Sequence, residues 1–512
     1  MKNFWLFVAL GCLALGCRRS ATDPGGLPVA GWHFVGGTAL ATQKTAPVLA
    51  EALSHPKAAP VLPRLATNLA VALLGRTAAP ADPAAVASLV PLAEDLLRGE
   101  SAGEIRTESW QLAVRAGAAR LPLWQAALPV LARMLPAPAG ATPRPGPALL
   151  VTNGWLLAAH AADGLGRARA LTTNAPAAPL TLRADLSRIL GDAARRWPAV
   201  EYQAVLTNGA VRAAGRMRFD DPPLAALEPW RLPAEQIREP LVQFAAARGI
   251  KPWLERIPWL RAAAGSETPN QVSWWSQGQN VPFRTWFAAP VNDANAVIQR
   301  THDQLVPWFD GSKGSNGPVI GRVGLVQDGK RSAVAILDLL KVVHPVMGRY
   351  REGEQQYLLG SFFAPVPSTN PVPRELVAQL QRPNVVYYDF EITAETVTHW
   401  TGFRQFGNIV MGRLPSPRTA VAQDWLLAAL GNAGECVTEV TQSGPAELAY
   451  LRKSPVGLAS YELAALAFWL DGPAPVAGSG RGLPGAPRPG TSAPPAPGTS
   501  LPPAPAPAGR TR

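Results

Sequence analysis

The sequence predicts an α+β fold in which antiparallel sheets pack against amphipathic helices. Two observations predict this class: turn sequences separate pairs of strand-like segments, and short strands are followed closely by segments of helical periodicity. The chain has 512 residues, of which 47% are hydrophobic and 16% are charged. This composition supports a large buried core and excludes a charge-rich disordered protein.

Three turn sequences predict β-hairpins. Asn-Gly at 208–209 lies between EYQAVLT and AVRAAGRMRF, and Asp-Gly at 328–329 lies between VIGRVGLVQ and KRSAVAILDLL. Both dipeptides favour the positive φ angles of turns that match the twist of paired strands. Ser-Gly-Pro at 443–445 separates CVTEVTQ from AELAYLRKS in the same way. Antiparallel pairing is therefore the expected strand arrangement.

A strand followed closely by an amphipathic helix recurs along the chain. Four segments have this pattern, at residues 32–53, 110–134, 284–308 and 385–406. In the last of these, apolar residues alternate with more polar ones along a strand before a helical period begins. The recurrence predicts duplicated strand-helix units, which share a pattern more than they share residues.

The N-terminus has the features of a secretory leader. Lys2 precedes an uninterrupted apolar run at 4–16, which is shorter than the roughly 20 residues that a membrane-spanning helix needs. The run ends in ALGC at 14–17, which resembles the lipobox of bacterial lipoproteins. The resemblance implies that residues 1–16 are a signal peptide and that Cys17 is lipidated. It departs from the family pattern because alanine stands three residues before the cysteine, where leucine is usual.

Two alternatives remain for this leader. Cys12 closes a similar ALGC sequence, but it would leave an apolar core of only eight residues. The leader could also be an ordinary cleaved one in which Cys17 is incidental. If Cys12 leaves with the leader and Cys17 carries lipid, Cys436 is the remaining thiol, and no disulfide can form within the chain.

Proline-rich segments predict the domain organisation. Residues 136–147, PAPAGATPRPGP, form a predicted linker between a helix-rich part at 17–135 and an α+β body at 148–470. Residues 471–512 are rich in proline and glycine and repeat GTSAPPAP as GTSLPPAP. Such a segment buries too little apolar surface to offset the entropy of ordering, so a disordered tail is expected.

The net charge of +12 is concentrated partly at the two ends of the chain. Lys2 lies in the leader, and four arginines lie in the tail. No five basic residues follow one another in the body, whose many arginines we attribute to a GC-rich genome. Non-specific affinity for nucleic acid needs several cations along one phosphate track. Nucleic acid is therefore not an expected partner.

The sequence contains few motifs that indicate chemistry. It has no G-x-S-x-G, no H-E-x-x-H and no C-x-x-C, so neither a metal nor a cofactor is expected. The best local group is Asp389 and Glu391 on one strand face, followed by Glu395 and His399 one helical turn apart. These residues are candidates for acid/base chemistry. The alternative is a solvated strand face followed by an ordinary helix.

Tryptophan is more abundant than tyrosine, with 16 Trp against 7 Tyr. Trp274, Trp275 and Trp286 are candidates for stacking on a sugar or peptide, since an indole offers a flat apolar face with one donor. Trp274 and Trp275 point to opposite faces if they lie in a strand. Core packing is the alternative interpretation for the set.

The segments NVVYYDFEITAETVTHW at 384–400 and SYELAALAFWLDG at 460–472 loosely resemble uncharacterised lipoprotein-type envelope proteins of GC-rich bacteria. The resemblance covers a small part of the chain and implies no activity. We expect an exported protein, anchored through Cys17 at the outer membrane or periplasmic face, with a non-catalytic binding or scaffolding role. Its expected partners are the membrane and an envelope glycan or protein. The alternatives are an envelope hydrolase that uses the residues near 389–399 and a glycan binder that uses exposed tryptophan.

Overall fold

The computed structural model describes most of the chain between Pro28 and Gly472. The described ranges are 28–74, 82–106, 109–134, 146–174, 176–190, 197–278, 284–312, 321–327, 332–337, 345–362, 373–410 and 420–472. The predicted signal peptide at 1–16, Cys17, nearly all of the tail at 471–512 and the Asp-Gly turn at 328–329 lie outside these ranges.

The described residues form one sheet of 18 strands, and each strand pair is antiparallel. The strands of the first part of the sheet are β1 (Ala30–Phe34), β2 (Ser101–Ile105), β3 (Trp110–Arg115), β4 (Ala148–Thr152), β5 (Trp155–Ala159), β6 (Leu180–Asp185), β7 (Ala199–Thr207) and β8 (Ala210–Arg218). Those of the second part are β9 (Leu241–Arg248), β10 (Gln271–Gln277), β11 (Thr285–Val291), β12 (Arg322–Gln327), β13 (Ser332–Leu337), β14 (Val346–Glu352), β15 (Gln355–Ser361), β16 (Val385–Ile392), β17 (Glu435–Gly444) and β18 (Glu447–Ser454).

Helices lie between most of these strands. Those before β9 are α1 (Gly37–Leu40), α2 (Pro47–Ser54), α3 (Val61–Leu74), α4 (Pro83–Arg98), α5 (Leu121–Met134), α6 (Leu165–Thr173) and α7 (Leu186–Leu190). Those after β9 are α8 (Lys251–Leu254), α9 (Pro258–Ala264), α10 (Ala294–Ser312), α11 (Arg374–Leu380), α12 (Thr393–Val410), α13 (Val421–Ala429) and α14 (Ser460–Asp471). The predicted α+β class, with antiparallel strands and packed helices, is confirmed.

The predicted hairpins have the expected strand pairing. Thr207 pairs with Ala210 across the Asn-Gly turn, and Gly209 has the positive φ of 77° that such a turn requires. β17 and β18 pair across the turn after Gly444, and β12 pairs with β13. The three predicted strand pairings are therefore confirmed, and the Asp-Gly turn itself lies outside the described residues.

The two halves of the chain repeat one strand order. In the N-terminal half, residues 28–218, β1 lies between β2 and β6; the sheet continues as β3, β5 and β4 on one side and β7 and β8 on the other. In the C-terminal half, residues 241–472, β9 lies between β10 and β16; the sheet continues as β11, β15 and β14 and as β17 and β18. The hairpin of β12 and β13 and the helix α14 are additions in the C-terminal half.

This repeat explains part of the recurring strand-helix pattern. The segments at 110–134 and 284–308 fall on β3 with α5 and on β11 with α10, which hold the same place in the two halves. The segments at 32–53 and 385–406 begin on β1 and β16, which hold different places. The duplication therefore concerns a whole half of the sheet, and a single strand-helix unit is a fragment of it.

The halves join through β8 and β18, so the sheet is continuous. Ala214 lies opposite Leu451 near the middle of this join. On the N-terminal side, β3 pairs with β5, with Ala113 opposite Leu157. Residues before and after the segment 136–147 thus belong to one sheet.

The sheet has two faces, which we name by what covers them. On the helix face, α3, α4 and α5 pack over residues such as Leu112 and Leu156, and α12, α13 and α14 form a neighbouring apolar cluster around Leu426. On the opposite face, named the groove face, α6 packs over Ala113 and Leu157, and α11 packs over Phe244. Because strand side chains alternate, each strand contributes residues to both faces.

Candidate functional site

Asp389 and Glu391 point from β16 toward the helix face, where the helices exclude them from solvent. Each is 1% exposed. Their strand neighbours on this face are Gln243, opposite Glu391 on β9, and Thr438, opposite Asp389 on β17. The interpretation of these carboxylates as a solvated strand face is therefore wrong. Burying a carboxylate is costly unless other groups compensate its charge.

Helix α14 compensates part of this charge. The backbone N–H of Ser460, at the start of α14, donates to Glu391 Oε1 at 2.6 Å. A helix N-terminus favours a negative group because its first N–H groups lack partners within the helix. Two residues along α14, Glu462 accepts from Arg452 of β18 at 2.5 and 3.1 Å. Glu462 also accepts from the backbone N–H of Ala459.

The same buried layer continues across β17 and β18. Arg452 Nε donates to Thr438 Oγ1 at 2.9 Å, and Tyr387 lies on the same face of β16 as Asp389. Burial, with the negative charge of Asp389, holds the pKa of Tyr387 well above its ordinary value. Burial, with the charge of Glu391, likewise raises the pKa of the Cys436 thiol. Both groups remain neutral near pH 7, so Cys436 is not a reactive nucleophile.

The other two candidates for acid/base chemistry lie on α12. Glu395 is exposed on α12, whereas His399 is 8% exposed. Burial lowers the pKa of His399, and Glu395 is the one charge that opposes this shift. Among the described residues, Nδ1 of His399 has no hydrogen-bond partner. In the part of the chain that the structure describes, no hydrogen bond joins His399 to either β16 carboxylate.

The buried layer consequently attaches α14 to the sheet. It joins the first turn of that helix to β16 and β18 through Glu391, Arg452 and Glu462. Its members are buried. None of them lines any of the three cavities that we consider among the described residues. Both β16 carboxylates are therefore enclosed, and the hydrolase alternative stays a prediction.

The three candidate tryptophans have different surroundings. Trp275 and Trp286 lie on the groove face of the C-terminal half, 1% and 3% exposed, with ring centroids 6.3 Å apart and planes 17° apart. They pack in an apolar core with α11, so they are not ligand-binding residues. Trp274 is half-buried on the helix face, 6.1 Å from the ring of Tyr387. The core-packing interpretation is correct for the first two.

A large cavity forms a groove in the N-terminal half, on the groove face beside α6. Its volume is about 960 Å³. It crosses six neighbouring strands, β2, β1, β6, β7, β8 and β18, a width of about 24 Å at the usual spacing between strands. Small residues line its floor: Gly31, Ala102, Ala214 and Ala449. At these four positions a ligand can approach the sheet backbone closely.

Charged side chains form a row across this floor. Glu104, Gly31, Arg183, Glu201 and Arg216 follow one another in register from β2 to β8. Arg183 pairs with Glu201 at 3.5 Å, and Glu104 pairs with a further arginine of the lining. The opposite wall is the helix α6, which adds another arginine and a leucine. The lining thus contains four arginines, Arg106, Arg167, Arg183 and Arg216, against two glutamates.

Sequence reasoning missed this groove because it attributed the arginines to genome composition. A local signal exists in β8, AVRAAGRMR, where Arg212, Arg216 and Arg218 share one strand face with Ala214. Arginines that alternate with small residues in a half-covered strand indicate an open, charged sheet surface. The neighbouring strands that complete the row come from distant parts of the chain.

We also searched the structure for metal sites and membrane-spanning helices, and compared the chain with known proteins. Within the described ranges, no group of three or more His, Cys, Asp or Glu residues is arranged to hold a metal ion. No helix in the part of the chain that the structure describes is long and apolar enough to cross a membrane. No family model, no curated protein and no solved structure matches this chain.

Proposed function

We propose that this protein is a lipid-anchored binding protein of the cell envelope, which holds an elongated ligand in the groove of its N-terminal half without catalysing a reaction. The observation that carries this proposal is the groove of about 960 Å³ with its row of charges over a glycine and alanine floor. Ligand sites are concave and carry a few convergent polar groups that fix orientation.

The lining favours binding over chemistry. Among the described residues that line the groove, there is no serine or cysteine that could act as a nucleophile. His33 is buried and contacts Glu100 at 3.2 Å, and both lining glutamates are paired with arginine. These groups are arranged to hold and orient polar ligand groups, because their hydrogen-bonding directions are fixed by neighbours.

The anchor part of the proposal rests on the leader. The apolar run at 4–16 and the ALGC sequence at 14–17 support export and lipidation of Cys17. Several acyl chains on one cysteine would hold the protein at a bilayer, where a single chain would not. A Cys17→Ala variant that is exported should appear in the soluble fraction. Its retention in the membrane fraction would show that the anchor is wrong.

The groove part can be tested by filling the groove. A photo-crosslinking residue in place of Gln203, which is exposed in the groove lining, should form an adduct with the ligand in cells. Ala214→Trp places a large ring on the floor and should reduce the adduct about tenfold. Ala87→Trp, on the exposed side of α4, is the matched control and should leave it unchanged. An adduct of equal yield in both variants would disprove the groove as the binding site.

A further inference from the structure

We infer that the groove binds the phosphate-bearing head group of an anionic lipid in the same bilayer that anchors the protein. This inference rests on the proposed function and specifies its ligand. Three observations support it: lining arginines that have no ion-pair partner among the described residues, a like-charged pair beside an exposed apolar residue, and the short sequence separation between Cys17 and the groove.

The first observation concerns Arg167 and Arg216, which lie on the α6 wall and on β8. Both are exposed, and neither forms a hydrogen bond or an ion pair with any residue that the structure describes. Arg216 acts on Glu447 only as a nearby charge, since the carboxylate of Glu447 bonds to Arg218 and Ser443. A guanidinium group offers a planar fork of donors that matches phosphate oxygens.

The second observation is a like-charged pair next to the groove. Arg212 of β8 lies directly opposite Lys453 of β18, and both are exposed. Like charges in directly opposed positions destabilise a strand pair unless an anion lies between or above them. The neighbouring register position holds Ala214 and Leu451, and the side chain of Leu451 is 56% exposed.

This combination matches a lipid more closely than a soluble polyanion. Arg212, Arg216 and Lys453 lie near the apolar Leu451 on its β8 side, and Glu439 of β17, which pairs with Arg382, lies directly opposite Leu451 on the other side. A phospholipid presents an anionic phosphate and apolar acyl chains in one molecule. A nucleic acid or an acidic peptide would use the cations but would not use the exposed leucine.

The third observation is the short sequence separation between Cys17 and the groove. Pro28 lines the groove and follows Cys17 by eleven positions in the sequence. A chain of that length spans at most about 40 Å when fully extended. A lipidated Cys17 would therefore keep the rim of the groove within about 40 Å of the bilayer surface, where lipid head groups are present at high effective concentration.

The test uses the lipidated full chain in neutral detergent, with an environment-sensitive fluorophore on Gln203→Cys. Lipidation would block the thiol of Cys17, and Cys436 is buried, so the label goes to one site. Addition of phosphatidylglycerol should give a saturable emission shift, and phosphatidylcholine should not. The same label on Ala87→Cys, on α4, should not respond to either lipid.

Charge-removing variants and a soluble probe identify the source of the signal. Arg167→Gln with Arg216→Gln should weaken phosphatidylglycerol binding about tenfold or more. Arg169→Gln with Arg261→Gln, at exposed positions outside the groove lining, should not change it. Glycerol phosphate that matched the effect of the lipid would overturn the lipid assignment. A response to the two lipids of equal size would overturn the requirement for a negative head group.

These outcomes separate the two proposals. If phosphatidylglycerol produces no shift while the Gln203 adduct still depends on Ala214, the groove binds a ligand of another class and the lipid inference alone fails. If the adduct is insensitive to Ala214→Trp, the groove function itself is wrong.

Discussion

The two halves of the molecule share one strand order but place their charge on opposite faces. On the helix face, the central residues of β6 are Leu182 and Ala184 in an apolar cluster, whereas those of β16 are Asp389 and Glu391. On the groove face, the N-terminal half is open and charged, and the C-terminal half is filled by stacked tryptophan and by α11. One sheet topology therefore supports two arrangements, which differ in what covers each face.

This difference between the halves shows which partners accompany a buried carboxylate in this fold. Asp389 and Glu391 are accompanied on the same face by Arg452 and by the N-terminus of α14, and the N-terminal half has no counterpart of that helix. Without such partners, the equivalent face of the N-terminal half is apolar. The charge in the C-terminal half thus belongs to the attachment of one additional helix.

The largest expected effect comes from removing the charge of Glu462. In Glu462→Gln, Arg452 keeps its charge in a buried layer without its main partner, which costs about 3 to 5 kcal/mol of unfolding free energy. Urea-induced unfolding measures this cost. The matched variant in the other half is Glu201→Gln, whose pair with Arg183 is exposed to solvent. That change should cost less than about 1 kcal/mol. Equal small costs would show that α14 does not depend on the buried pair.

The second prediction introduces polarity where the N-terminal half is apolar. Leu182→Asn places an amide among Ala184, Leu186 and Val200, where no partner helix supplies hydrogen bonds. The expected loss is about 3 kcal/mol, from lost apolar burial and an unsatisfied amide. Arg183→Asn, the next residue but on the exposed face, should change stability by less than about 0.5 kcal/mol. Tolerance of Leu182→Asn would mean that the two halves do not differ as described.

The smallest effect concerns pH and His399. Burial lowers the pKa of His399 below its ordinary value of 6.5. The unfolded chain therefore binds a proton below about pH 6.5 that the folded protein does not bind, so stability falls as the pH decreases through this range. His399→Gln should reduce that dependence, measured as unfolding free energy between about pH 7.5 and about pH 5.5. Thr398→Gln, at the exposed neighbouring position, should keep the wild-type dependence. If the unfolding free energy depended on pH equally in the wild type and both variants, His399 would not be the source of the dependence.

Local signals predicted the parts of the fold that local chemistry determines. The Asn-Gly turn at 208–209 predicted the β7–β8 hairpin because a positive φ is needed there. No local signal marks the pairing of β8 with β18, whose residues Ala213 and Arg452 are far apart in sequence. Long-range pairings depend on which apolar faces must be covered, and this is decided by the whole chain.

The candidate site was predicted less completely than the fold, for a related reason. Alternation in β16 correctly placed Asp389 and Glu391 on one face, but alternation does not reveal whether a helix covers that face. The covering helix, α14, begins about 70 residues later, at Ser460. The groove likewise depends on strands from several distant segments, which only their pairing brings into one row.

The join between β8 and β18 has a consequence for the order in which the molecule assembles. β8 ends at Arg218, and its partner strand is not complete until Ser454. While the chain emerges from its N-terminus, β8 is an open sheet edge that β18 of another molecule could pair with as well as its own. Intermolecular strand exchange at this edge would then compete with correct folding until the last strand is available.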